Sequence, residues 1–272
     1  MRFAKKRMKF PTVSWSRSKS VAADPGLPFV LILTPVKNAN PEIPAYIERL
    51  LNLTYPRNRI SLGLLESDST DTTLRIFRHH LPRLDREFRK ANLWKRDFGY
   101  QIPRGMHRGD ARIQLERRTI LARSRNHLLF HALDDEDWVL WLDVDVCEFP
   151  PDLIERLLAT GRDIVQPHCV LDYGGPTFDQ NGWRDRGRLH LDDLRDEGEF
   201  VELDAVGGTV LFIRADIHRD GLIFPPVPYG TGTPRAREER GELETEGLGL
   251  MAHDMGHVPW GMPGFEVLHR RR

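Results

Sequence analysis

Apolar positions along this chain fall in short blocks that alternate between strand-like and helix-like spacing. Residues 29–36, FVLILTPV, are apolar without alternation, the pattern of a strand covered on both faces. Residues 43–53, IPAYIERLLNL, set Ile43, Tyr46, Ile47, Leu50 and Leu51 at helical spacing. ISLGLLESD (60–68) reads as a second strand, after which Ser69, Thr70 and Asp71 supply a cap for a helix over TTLRIFRHHL. A third strand is expected in WKRDFGY (94–100), a loop over 103–110, and a long helix rich in Arg, Leu and Ala over 111–133. DWVLWLDVD (137–145) is the most apolar strand; PPDLIERLLAT (150–160) is a helix with prolines in its first turn, and DIVQPHCV (163–170) a further strand. A polar excursion over 174–199 precedes GGTVLFIRADI (207–217), a short helix at 245–256 and a last strand, FEVLH, at 265–269.

This alternation predicts an α/β fold, a mainly parallel twisted sheet flanked by helices. Ligands of such sheets sit at the carboxyl ends of the strands. A single domain is expected over 27–272, after a tail over 1–26, with a mobile loop at about 226–243 where apolar residues are scarce.

Charge changes the picture in one place. Lys+Arg 40 and Asp+Glu 40 cancel, which argues against nucleic acid as a partner of the whole protein. Yet Arg2, Lys5, Lys6, Arg7, Lys9, Arg17 and Lys19 all precede the first acid, Asp24. Such a basic arm suits peripheral contact with an anionic membrane, at ~1 kcal/mol per basic residue near the surface; the plainer reading is a solvated tail. No apolar run approaches the ~20 residues a membrane span needs, and no signal peptide is visible. The expected location is cytoplasmic, with the arm as membrane contact. Cys147 and Cys169 make no disulfide framework and read as small buried residues in a reducing compartment.

Candidate chemistry gathers at the strand ends. Asp143 and Asp145 flank Val144 at the end of the most apolar strand. Two such carboxylates repel unless protons or a cation intervene, and Mg²⁺ or Mn²⁺ on oxygen ligands often shares them with a diphosphate. The plainer reading is a pair of solvated acids leaving the core. Arg118 and Arg125, seven apart, share a helical face that could offer bidentate donors to phosphate. The first strand exits through Thr34, Pro35, Lys37 and Asn38, the second through Ser67, Asp68 and Ser69; these short polar groups are candidates to hold a base and ribose. Gly207 and Gly208 would let a sugar approach the backbone, and Asp204 could hold its hydroxyls. Glu246 is the candidate to orient or deprotonate an acceptor hydroxyl, with Glu244 as the fallback. A helix-start acid without chemistry is the alternative.

ILTPVKNA, LLESDSTDTTL, ARSRNHLL, WVLWLDVDVCEFPPDLI, LDAVGGTVL, IFPP, ETEGLG and the terminal VLH follow one another in this order. Together they resemble the fungal mannan polymerase mannosyltransferases, glycosyltransferase family 62, over about Pro28 to His269. The resemblance implies a GT-A fold, GDP-mannose as donor, Mn²⁺ (or Mg²⁺) as cofactor, and transfer with retention to an α-1,6-linked mannoside. It places the metal on Asp143, Asp145 and, at the matching histidine position, His269. A histidine joined to carboxylate and diphosphate oxygens suits Mn²⁺. The fungal proteins carry an N-terminal anchor where this sequence has the basic arm, so an anchor-free, bacterial member is expected. Before the ETEG motif, YGTGTPRAREERGEL (229–243) looks inserted, in a region bordering the acceptor. Two competing readings are a metal-dependent nucleotidyltransferase and a non-catalytic nucleotide-sugar-binding subunit of a polymerase complex. The first lacks a Gly-rich basic segment after the opening strand.

Overall fold

The computed structural model describes residues 26–237 and 239–271. The basic arm, up to residue 25, lies outside the described residues. Among those described, nine strands form one sheet: β1 (Val30–Val36), β2 (Ile60–Glu66), β3 (Lys90–Lys95), β4 (Trp138–Leu142), β5 (Val146–Glu148), β6 (Ile164–Val170), β7 (Val201–Glu202), β8 (Val210–Arg214) and β9 (Trp260–His269). The helices are α1 (Ile43–Leu51), α2 (Thr73–Glu87), α3 (Gln114–Ala132), α4 (Leu153–Ala159), α5 (Ala215–Arg219) and α6 (Glu244–Asp254).

The apolar strands are apolar because both faces are covered. Val30 and Ile32 of β1 enter one core, with Phe77 of α2 and Leu153 and Leu157 of α4. Leu31 and Leu33 point the other way, into a core with Leu128 of α3 and Leu248 and Ala252 of α6. In β4, Leu140 and Leu142 take the first side, Val139 and Trp141 the second. Each such fully buried side chain contributes about 1.5–3 kcal/mol.

The strand order is β3-β2-β1-β4-β8-β6-β9-β5, with β7 on β9. The expected parallel arrangement holds from β3 to β4. Beyond that the sheet is mixed: β8 runs antiparallel to β4 and β6, β9 is parallel to β6, and β5 and β7 are antiparallel to β9. The antiparallel entry of β8 brings its first residues beside the carboxyl end of β4, with Val210 opposite Leu142. On β9, His269 pairs with Val146, just past Asp145. Topology alone therefore converges three chain segments on the D-V-D loop.

Some boundaries depart from expectation. Helix α2 runs through Pro82 to Glu87, because buried Leu84 repays the one backbone bond the proline removes. Strand β3 starts four residues earlier than expected and ends before Arg96. The short β5 and β7 escaped the pattern. No helix among the described residues is long and apolar enough to cross a membrane. Cys169 is buried as expected, but Cys147 is exposed, since a bulge in the β5–β9 pairing turns it outward.

Candidate functional site

At the strand ends Asp145 meets His269. His269 Nε2 lies 3.1 Å from Asp145 Oδ1, and both side chains are buried. His269 Nδ1 meets the Arg270 carbonyl at 2.8 Å. A carbonyl only accepts, so Nδ1 donates to it and Nε2 is the nitrogen turned to the carboxylate. A ring nitrogen and a carboxylate oxygen at that distance share a proton or a cation, and a backbone-oriented imidazole is the usual form of a metal-binding histidine. Arg108 Nη1 stands 4.0 Å from the other Asp145 oxygen.

Asp143 completes the pair on the opposite side of Val144. Its N–H donates to the Thr209 carbonyl at 2.9 Å, which ties the loop to the start of β8. Its carboxylate turns to Arg125, Nη2 to Oδ1 at 3.4 Å. Burial pushes the Asp143 carboxyl well up, against the pull of Arg125 and with Asp145 and Asp179 adding to the rise. The group is held in a state that a cation would relieve. Among the described residues no three His, Cys, Asp or Glu side chains form a ready-made metal cage. The donor set fits a cation that takes its remaining ligands from a diphosphate.

The arginine face of α3 does point at this edge, with most of its donors engaged inside the protein; Arg118 Nε and Arg125 Nη1 are buried without a hydrogen-bond partner. Arg125 Nε donates to Glu244 Oε1 at 2.9 Å, and its Nη2 to the Gly208 carbonyl at 3.3 Å. Its guanidinium lies 5.4 Å from the ring centroids of both Trp141 and Phe224. Arg118 is ion-paired with Glu246 and donates to the Leu243 carbonyl at 2.6 Å. Both arginines bind the start of α6 to α3, and each keeps one buried nitrogen, Arg118 Nε and Arg125 Nη1, without a partner.

Glu246 likewise has both oxygens taken. Trp183 Nε1 donates to Oε1 at 2.9 Å, Arg118 holds Oε2, and Arg237 Nη1 stands 3.5 Å from Oε1. Arg237 comes from the loop expected to be mobile, which closes through mutual backbone bonds between Tyr229 and Glu242. Glu244 opens α6 with φ +53°, a sparsely populated conformation for a residue with a side chain. Its N–H donates to the Pro225 carbonyl at 2.9 Å.

The glycine pair is explained from within the protein. A Cβ on Gly207 would come 2.2 Å from an Asp179 oxygen, and one on Gly208 would come 2.6 Å from Arg125 Nη2. In this structure the close approach is made by the chain's own side chains. Asp179 was missed in the sequence. It accepts from the Thr209 N–H at 3.0 Å and from the Thr209 hydroxyl, beside Asp143. It lies in a polar, turn-rich stretch with no periodicity to mark it.

The nucleotide candidates divide. Thr34 is fully buried; its hydroxyl donates to the Leu142 carbonyl at 2.9 Å and shares a hydrogen bond with Tyr46, so it clamps β1 to β4 rather than reaching the edge. Pro35 lies beside it in β1. The Lys37 ammonium donates to the Tyr100 carbonyl, and burial lowers its pKa although Asp68, Asp97 and Glu66 surround it. Asp68 accepts from the Phe98 and Gly99 N–H groups, each at 2.9 Å, fixing the loop after β3. Ser69 Oγ accepts from the exposed Asn38 N–H at 3.0 Å, joining the two exits, and the Ser67 N–H donates to the Val36 carbonyl. Asp204, expected near a sugar, accepts from the Asp185 N–H at 2.8 Å.

A family model described as Anp1 matches residues 16–191 and 185–228. A mannan polymerase complex subunit of Schizosaccharomyces pombe is 31% identical over 282 residues, covering 88% of this chain and 79% of the relative. A mannan polymerase II complex subunit of Saccharomyces cerevisiae is 27% identical, covering 88% of this chain and 54% of its own. These relatives are fungal and lend no support to the expected bacterial origin. Among solved structures, a mannosyltransferase of Pyrobaculum calidifontis in complex with GDP-Man and Mn²⁺ superposes with a TM-score of 0.54 at 17% identity, over 92% of this chain and 59% of that one. TarS of S. aureus with UDP-GlcNAc gives 0.52 at 13% identity, over 90% and 59%. At such identities the likeness concerns the fold alone, which is of GT-A type.

Proposed function

The chain belongs to the Anp1 family, and on that premise we propose that it is a metal-dependent glycosyltransferase. It moves a hexose, mannose from GDP-mannose, with retention onto a glycan acceptor. The observation that carries this reading is the contact of Asp145 with His269 at 3.1 Å, at the edge where α/β sheets bind ligands.

Asp145, His269 and Asp143 would hold a divalent cation, which when bound supplies Lewis-acid stabilisation of the leaving diphosphate. Arg125 balances Asp143 and keeps the anionic edge from self-repulsion before donor arrives. The exits of β1 and β2, with Lys37, Asn38 and Ser67 to Ser69, flank this edge and receive the nucleotide. Fully paired Glu246 and Glu244 act as fixed anions that set the acceptor wall formed by α6, rather than as free bases. The basic arm remains a proposal for membrane contact.

A second reading, a nucleotide-sugar-binding subunit without catalysis of its own, is favoured by the names of the relatives, which are subunits of polymerase complexes. Thermal unfolding and donor hydrolysis separate the two. Ligand that binds only the native state raises the melting temperature. GDP-mannose with Mn²⁺ is expected to stabilise wild type and be slowly hydrolysed, and Asp145→Ala to lose both effects. Stabilisation without hydrolysis or transfer supports the second reading, and no response to any sugar nucleotide rejects both.

A further inference from the structure

Three large apolar side chains, Leu171, Tyr173 and Phe178, stay exposed on one short hairpin. The hairpin follows β6 and is closed by the Val170–Thr177 bridge. It leaves the sheet at the edge that carries His269, because Val170 pairs with Leu268. Phe178 stacks on the His269 imidazole, with centroids 4.0 Å apart and an interplanar angle of 26°. Tyr173 Oη donates to Glu148 Oε1 at 2.9 Å, on the strand whose Val146 pairs with His269. One ring therefore adjoins the candidate cation ligand directly, and the other stands on the neighbouring strand.

Clustered exposed aromatics beside a polar centre mark a surface that a ligand covers. Flat ring faces with a carboxylate at their border match a pyranose, whose C–H face is apolar and whose rim is hydroxyl. The placement selects which sugar. In the strand order, the β1 and β2 exits lie on one side of β4, and β6, β9 and β5 on the other. A nucleotide on the former leaves the latter to the acceptor. We propose that Phe178 and Tyr173 form an aromatic subsite for a pyranose ring of the acceptor glycan, with Glu148 receiving its hydroxyls. This rests on the glycosyltransferase reading above.

Saturation-transfer NMR tests it without needing turnover, with α-1,6-mannobiose as one probe and GDP with Mn²⁺ as the other. Wild type, Tyr173→Ala, Phe178→Ala and Phe178→Trp are compared, with thermal melts to confirm folding. Tyr173 makes no ring contact with His269, so its variant separates sugar binding from support of the imidazole. Wild type should mark the mannobiose ring C–H protons. Each alanine variant should weaken mannobiose about 5- to 10-fold, Phe178→Trp should retain it, and Tyr173→Ala should leave GDP affinity where it was. Unchanged mannobiose binding in both alanine variants, or loss of GDP affinity in Tyr173→Ala with mannobiose intact, overturns the proposal. If wild type binds mannobiose through these rings but not GDP, the donor reading fails and the subsite stands. If it binds GDP and not mannobiose, the subsite fails alone.

Discussion

His269 Nε2 lies 3.1 Å from Asp145 Oδ1, while the same imidazole is oriented by the Arg270 carbonyl 2.8 Å from Nδ1. Asp145 lies near the middle of the folded region and His269 near its end, and they meet only because β9 returns to pair with β5. A carboxylate and an aimed ring nitrogen in a buried setting form half of a cation site, which donor diphosphate would complete.

Arg125 and Glu244 are both buried, at 6% and 4% side-chain exposure, so each depends on the other. Removing one partner leaves an uncompensated charge. Arg125→Met should cost about 3–5 kcal/mol, and adding Glu244→Leu should recover part of the loss. Urea unfolding of the single and double variants measures this; additive losses would contradict the pairing.

Glu246 faces two arginines in unequal settings. Arg118 is 18% exposed and paired directly, whereas Arg237 is 39% exposed and 3.5 Å away. Arg118→Ala should destabilise by about 3–5 kcal/mol, and Arg237→Ala by about 1 kcal/mol or less. Equal losses in chemical denaturation would show that the loop arginine is a structural partner of the same rank.

Gly208→Ala would drive a methyl to 2.6 Å from Arg125 Nη2 and 2.8 Å from Thr245 Cγ2. Overpacking of this kind costs about 1–3 kcal/mol. Because the displaced guanidinium also holds Asp143, the variant should weaken GDP–Mn²⁺ binding along with stability. Calorimetric titration that gives wild-type affinity would detach Gly208 from the site.

His218 gives a pH dependence with a definite sign. Its Nδ1 donates to the Leu222 carbonyl at 2.7 Å, and burial lowers its pKa to about 4. In the unfolded chain the value is about 6.5. As pH falls the unfolded chain takes up the proton first, so the stability is whole above about 6.5 and lost progressively towards 4. The contribution is at most about 3 kcal/mol. Melts across this window should fall more steeply for wild type than for His218→Gln; parallel curves would refute the assignment.

Much of the fold was legible because it is written in burial. β1, β2, β4 and β6 are apolar on both faces, and helices α1 and α4 carry clear stripes, so their positions followed from periodicity. The antiparallel entry of β8 was not legible, since a strand's direction depends on the loop that feeds it and not on its own residues. At the site, Asp143, Asp145 and His269 could be named from order and resemblance, but not the pairing state of their neighbours. Arg118, Arg125 and Glu246 look like free chemistry in sequence; only the contact of α3 with α6 reveals that Arg118 pairs with Glu246 and Arg125 with Glu244. Asp179 had no signal at all, because its role comes from a loop folding over Thr209.

Whether Asp145 and His269 hold a cation is measured by a Mn²⁺ titration followed by electron paramagnetic resonance in the presence of GDP, on wild type, Asp145→Asn and His269→Gln. One GDP-dependent Mn²⁺ per chain is expected in wild type, and loss of that site in each variant, with both variants still folded. Equal Mn²⁺ binding in all three proteins, or none in wild type, would contradict it.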